Sequence, residues 1–208
     1  MTSPTEPDPA AVERQLRDFY RDELRDRIDR PLGDDRTAHV QAFIVTARQR
    51  GCRSVLEVGC GAGRDGLLLS RGGLDYTGVD LTPESITICH GLGLDAVEAS
   101  ATELPFDDAS FDAAWTMSTL MHLPGNGFRV AVAELKRVVR PGGLVEVGLW
   151  GGAEHRDRIG SDGRYFQRRT DAEVRDELSR LGTVTGFEVW DRLPDGGHYQ
   201  WARVIRAR

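Results

Sequence analysis

Apolar residues change their spacing once along this chain, close to Gly51. Before it, Val12, Leu16, Phe19, Tyr20, Leu24 and Ile28 recur every three or four positions, which predicts an amphipathic helix over 10–29. Glu13 with Arg17, and Glu23 with Arg27, stand four apart with the acid first, an order that supports a helix. Pro31, Leu32 and Gly33 interrupt it. A second helix follows, with Asp34 or Asp35 near its cap and Val40, Phe43, Ile44 and Ala47 on one face. After Gly51 short apolar runs alternate with helical stretches. SVLEV (54–58), YTGVD (76–80), DAVEA (95–99), FDAAWTM (111–117) and LVEVGLW (144–150) read as strands. Helices are expected over 63–71, 83–92 with proline in the first turn, and about 128–139 before Pro141, Gly142 and Gly143. Strands alternating with helices imply a parallel sheet covered on both faces.

The pattern changes again near residue 170. Thr170 and Glu173 have capping-box spacing and open a helix that ends near Leu181. Two strand-like runs, VTGFEVWDRL and HYQWARVIR, then flank the turn residues Pro194, Asp195, Gly196 and Gly197. So short a connection forces an antiparallel hairpin, because a parallel return needs a crossover of about a dozen residues or more. Residues 1–9, rich in proline and without periodicity, read as a disordered leader. Residues 10–50 then form N-terminal helices that cap a domain spanning 51–208.

Composition narrows the chemistry. A formal net charge of −6 argues against sequence-independent binding to nucleic acid, which rests on phosphate neutralisation. Apolar runs stay far short of the ~18 residues a membrane span needs, and the N-terminus lacks a signal pattern, so a cytoplasmic protein is expected. Cys52, Cys60 and Cys89 form no CxxC pair, which indicates neither a disulfide framework nor a metal site. Asp107 and Asp108 read as turn residues. Lys136 is the only lysine, so mechanisms that need a lysine at a glycine loop have almost nowhere to place it.

The densest signal is VLEVGCGAG (55–63), a strand running into glycines at Gly59, Gly61 and Gly63. Glycine permits positive φ and lets the backbone approach a ligand without a Cβ. Residues 61–66 also satisfy GxGxxG, so a nicotinamide-dependent oxidoreductase stays open on this motif alone. Asp80 ends the second strand, where open α/β sheets bind ligands and where a carboxylate can hold a ribose diol. Glu57, inside the apolar strand, is costly to bury unless paired; a cationic ligand would relieve that cost.

Taken together, VLEVGCGAG, YTGVD, LPFDDASFDAAW with LMHLP, and ELKRVVRPGG resemble the class I S-adenosylmethionine-dependent methyltransferases, in particular their small-molecule, methyltransferase-11-like branch, from about Val55 to Trp150. The resemblance implies a Rossmann-like, doubly wound α/β fold. Its seven-stranded, mostly parallel sheet would have an antiparallel C-terminal strand, with the N-terminal helices added. It implies S-adenosylmethionine as cofactor, and methyl transfer to an O, N or C atom of a small-molecule acceptor by a monomer or homodimer. Glu57, Gly59, Cys60 and Gly61 would lie by the methionine part, Asp80 on the ribose hydroxyls, and Leu81 on the adenine. Ser100, Ala101 and Thr102 would border the adenine edge, where relatives usually carry Gly-Asp-Ala and this chain has Ala99, Ser100 and Ala101. Met117 and Ser118 would face the sulfonium, and Tyr20 would close over the cofactor. His122 is the leading candidate base, because imidazole titrates near neutrality, and His155 the second. Trp150, Tyr165 and Phe166 with His155 are candidates for an acceptor pocket. A cofactor-binding protein without methylating or any catalytic activity remains the other alternative.

Overall fold

The computed structural model describes residues 7–28, 30–191 and 193–208. Most of the expected leader therefore lies outside the described residues, and the first helix, α1, starts at its ninth residue and spans Pro9–Ile28. Helix α2 (Asp34–Gln49) precedes β1 (Ser54–Val58), α3 (Arg64–Arg71), β2 (Asp75–Asp80), α4 (Pro83–Gly91), β3 (Asp95–Glu98) and β4 (Phe111–Met117). A 3-10 turn over Leu120–His122 leads to α5 (Gly127–Val138) and β5 (Val139–Gly152). Then come β6 (Arg156–Ile159), β7 (Tyr165–Arg168), α6 (Asp171–Leu181), β8 (Gly182–Trp190) and β9 (Gly197–Arg206).

The main sheet has seven strands in the order β3-β2-β1-β4-β5-β9-β8. The first five run parallel, and β9 enters antiparallel between β5 and β8. The order reverses at β1, so the crevice beyond the carboxyl ends of β1 and β4 is the ligand position of this architecture. Two apolar layers bury the sheet. One packs Leu135, Val138 and Leu178 of α5 and α6 against Leu56, Val145 and Val147; the other sets Val40, Phe43 and Ala47 of α2 against Val55, Trp115 and Leu144. Helix α2 is thus part of the core and reaches the crevice through Arg36, while α1 lies over it.

Two expectations about strands need correction. Pairing of β5 with β4 begins at Val139 opposite Phe111, ahead of Pro141, and resumes at Leu144 opposite Ala113 after a register shift. The proline and glycines that stop the helix therefore form a bulge inside a strand. Gly142 has φ 78°, and a Cβ on Gly143 would come 2.6 Å from the Asp112 carbonyl oxygen. The segment 151–169, to which the pattern assigns no element, contains the β6–β7 hairpin as a separate two-stranded sheet. Its first strand, Arg-Asp-Arg-Ile, is exposed throughout and has no apolar alternation to betray it.

Candidate functional site

The site is built on the turn after β1. Gly59 (φ 82°) and Cys60 donate their N–H groups to the Val79 carbonyl at 2.8 and 3.0 Å, which ties the loop to the end of β2. A Cβ on Gly59 would overlap the Thr119 side chain, so glycine is required there by packing as well as by φ. Gly61 also has positive φ, 50°, but a Cβ on it would meet no atom within 4 Å, because it would stand in the open cavity. Gly63 (φ 70°) is the N-cap of α3.

Asp80, expected on the ribose hydroxyls, also bonds to the protein itself. Its Oδ2 accepts from the Gly61 N–H at 2.9 Å, while Oδ1 accepts from the Thr82 N–H at 3.0 Å and the Thr82 hydroxyl at 2.6 Å. One carboxylate thereby fixes both the glycine loop and the residue that caps α4. It remains on the wall of the cavity.

That cavity, about 400 Å³, runs from β2 to β4 beneath α1. Leu16, Tyr20 and Leu24 of α1 form its roof, and Glu57, Gly59, Cys60 and Gly61 its floor. Asp80, Leu81, Thr82, Ala99 and Ala101 line one end; Met117, Ser118, Thr119 and His122 line the other. Glu57 is 3% exposed and accepts a 2.6 Å hydrogen bond from the Tyr76 hydroxyl. Burial, with Asp65 nearby, pushes its carboxyl well above the ordinary range. A cation in the cavity would oppose that shift by stabilising the ionised form.

Other expected residues are placed differently. At the adenine-edge position, the cavity wall is made by Ala99 and Ala101. The Ser100 hydroxyl donates to Glu13 of α1 at 2.8 Å and sits 2.8 Å from the Thr102 hydroxyl, so these two side chains brace the roof. His155 is not brought to the cavity either. It is half-exposed, with Nδ1 2.8 Å from Glu173 and Nε2 3.6 Å from Asp157, beside a separate surface cleft. Of the aromatics proposed for an acceptor pocket, Tyr165 packs on Val12 and Leu16, Phe166 against the His122 ring at 4.7 Å, and Trp150 edge-on to Tyr199 at 5.5 Å. Ser118 has φ 57°, and its hydroxyl is 3.1 Å from that of Tyr199.

His122 has a determined proton arrangement. Burial, the largest influence, lowers its pKa to about 4, so the ring is neutral at pH 7. Its Nδ1 lies 2.7 Å from the Tyr165 carbonyl oxygen, which only accepts; Nδ1 therefore carries the hydrogen and Nε2 is bare. The Tyr20 hydroxyl, 3.1 Å away, donates to Nε2, and Arg164 donates to the Tyr20 oxygen at 3.0 Å. Arg164 is held by Asp162 and lies over the rings of Phe19 and Phe166.

Sequence reasoning missed Arg36 and Asp65. Asp65, buried in the first turn of α3, accepts from Arg36 and from the Trp115 indole N–H at 2.7 Å. Burial works against the charge of Arg36, yet Asp65 beside it holds the pKa above its ordinary value. Arg36 reaches the cavity next to Glu57. An acid in the first turn of the helix that follows the glycine loop was the available signal; its partner, 29 residues away on another helix, left none.

Comparison with known proteins agrees with this geometry. Residues 56–147 match the family described as methyltransferase domain. Over 114 residues the chain is 42% identical to the phthiotriol/phenolphthiotriol dimycocerosates methyltransferase of Mycobacterium tuberculosis, covering 51% of this chain and 42% of that one. Over 112 residues it is 38% identical to the fatty-acid O-methyltransferase of Mycolicibacterium smegmatis, covering 50% and 40%. The matched stretch thus spans less than half the length of these curated relatives. Among solved structures, the Burkholderia thailandensis 1,6-didemethyltoxoflavin-N1-methyltransferase, with 1,6-didemethyltoxoflavin and S-adenosylhomocysteine bound, superposes with a TM-score of 0.80 at 21% identity, covering 100% of this chain and 94% of that one. The cyclase SpnF shares the fold at a TM-score of 0.64 and 19% identity, covering 74% and 75%. Fold and glycine-loop site together define a Rossmann-like domain. Residues 56–147 of it are similar to the methyltransferase domain, in line with the S-adenosylmethionine-dependent class that the chain's motifs resemble.

Proposed function

We propose that the protein transfers the methyl group of S-adenosylmethionine to a small-molecule acceptor. The observation that carries this reading is the continuous cavity between Asp80 and His122, floored by a glycine loop in which Gly61 presents open space. Its donors and acceptors match the cofactor's parts in order. Asp80 has one acceptor site left, on Oδ2, for a ribose hydroxyl, Leu81 and Ala101 offer apolar contact to adenine, Glu57 faces the methionine ammonium, and Arg36 its carboxylate. Ser118 and Met117 adjoin the methyl end. When bound, the cofactor supplies an activated methyl on a sulfonium leaving group, and the chain's task is to orient the acceptor and exclude water. Helix α1 does the excluding, with Tyr20 locked to His122 at the methyl end. The names of the relatives, which give phthiotriol/phenolphthiotriol dimycocerosates and a fatty acid, support a small-molecule acceptor here.

The test has two stages. S-adenosylhomocysteine should raise the melting temperature, because a ligand that binds only the folded state stabilises it. Isotope-labelled S-adenosylmethionine should then transfer its methyl group to a member of a metabolite library, read by mass spectrometry. Absence of any thermal shift at saturating ligand defeats the reading. The second stage also exposes the other outcome, cofactor binding without methylation; the cyclase SpnF has this fold, and the fold alone does not imply methyl transfer.

A further inference from the structure

We propose that Tyr20 receives the proton of the acceptor and relays it to Nε2 of His122, and that the site is therefore built to methylate a hydroxyl oxygen or an N–H nitrogen. The inference rests on the methyltransferase reading and deepens it. The Tyr20 oxygen has one hydrogen and two lone pairs. Its hydrogen goes to His122 Nε2 and one lone pair takes the Arg164 N–H, which leaves a single lone pair on a side chain that lines the cavity. Only a donor can use it. An acceptor whose reacting atom bears a hydrogen fills that position and is oriented by doing so, whereas a C–H donates too weakly to be held.

Atoms and charge balance without any other reagent. The acceptor atom forms its bond to the methyl carbon while the S–CH3 bond breaks, its electron pair remaining on sulfur. The acceptor's hydrogen passes to the Tyr20 oxygen as the Tyr20 hydrogen passes to Nε2, and the acceptor keeps the electron pair of its former bond. Positive charge has then moved from sulfonium to imidazolium, whose two N–H groups are both satisfied, by Tyr20 and by the Tyr165 carbonyl. A base as weak as His122 suffices where the alkylated atom is a stronger acid than its imidazolium, as the oxonium from a hydroxyl or the cation from an amide-like N–H is. Its low proton affinity then returns the proton to water and resets the ring. The groups facing His122 are consistent with this transient role. Arg164 and Arg27 disfavour a lasting charge, and Asp162 favours it.

The hydrogen-bond chain can be read without an acceptor. In protein labelled with 15N-histidine, NMR should show His122 neutral at pH 7 with Nδ1 protonated. Tyr20→Phe should shift the Nε2 resonance. Against hydroxyl and N–H compounds drawn from the library, Tyr20→Phe should lower kcat, measured at saturating S-adenosylmethionine, by a factor on the order of 100 to 10,000. Matched compounds with that hydrogen already replaced by methyl should not react with wild type. The proposal is overturned by an Nε2-protonated tautomer, by a Tyr20→Phe spectrum identical to wild type, or by unchanged turnover in the variant. Failure of S-adenosylhomocysteine to bind the wild-type protein would instead defeat the cofactor reading and the relay with it, while the spectra would still decide the hydrogen-bond chain.

Discussion

Asp80 is the residue in which two roles meet. Its three hydrogen bonds to Gly61 and Thr82 shape the loop and the start of α4, and one acceptor site is left on a side chain that lines the cavity. Asp80→Ala should therefore weaken S-adenosylhomocysteine binding by about 1.5–3 kcal/mol and also cost about 1–2 kcal/mol of stability. Calorimetry and urea denaturation on one mutant measure both. Lost stability with unchanged affinity would reduce Asp80 to a brace. His122 gives a second expectation. The unfolded chain protonates this ring near 6.5 and the folded one only near 4, so between those values the unfolded state holds more protons. Stability should fall as pH drops from 6.5 to 4, by about 3 kcal/mol from this one group, and that part of the curve should flatten in His122→Gln. Equal slopes in the two proteins would contradict the buried, neutral ring.

Among the elements, the turn between β1 and α3 separates packing from binding. Gly59 is fixed by Thr119, whereas Gly61 faces empty space, so their substitutions should differ in kind. Gly61→Val should leave a folded protein, strained by about 1–2 kcal/mol at a positive φ, that no longer binds S-adenosylhomocysteine. Native affinity in that mutant, measured by calorimetry, would show the cofactor lies elsewhere. The strands and helices around this turn were legible in the sequence because each buries one periodic face. The capping box of α6 was legible too, and it is present in full, with Thr170 and Glu173 exchanging hydrogen bonds. The β6–β7 hairpin was not, since four exposed polar or isolated apolar residues carry no period. Its Arg164 reaches Tyr20 across 144 positions of sequence, a contact that no local pattern encodes.

For the whole molecule, α1 covers the cavity through a small set of contacts: Tyr20 with His122, Glu13 with Ser100, Arg17 with Glu98, and an apolar patch of Val12 and Leu16 on Tyr165. Exposed ion pairs of this kind contribute about 0–1 kcal/mol each, so α1 should open far more readily than the sheet. Hydrogen exchange should be fast in α1 and β6–β7 of the free protein and slow markedly with S-adenosylhomocysteine, while β1 and β4 stay protected throughout. Equal exchange of α1 with and without ligand would argue against its covering role. Among the described residues no helix is long and apolar enough to cross a membrane, and no cluster of His, Cys, Asp or Glu suits a metal ion. The sequence by itself determined the alternating elements, the hairpin order at the C-terminus, the glycine loop and Asp80, because periodicity and turn chemistry act within a few residues. Only the tertiary structure decided that Ser100 braces the roof, that His155 stands apart, that Arg36 and Asp65 pair beneath the cavity, and that Tyr20 closes on His122. Those are meetings between distant segments, set by how α1, the β6–β7 hairpin and the sheet pack together.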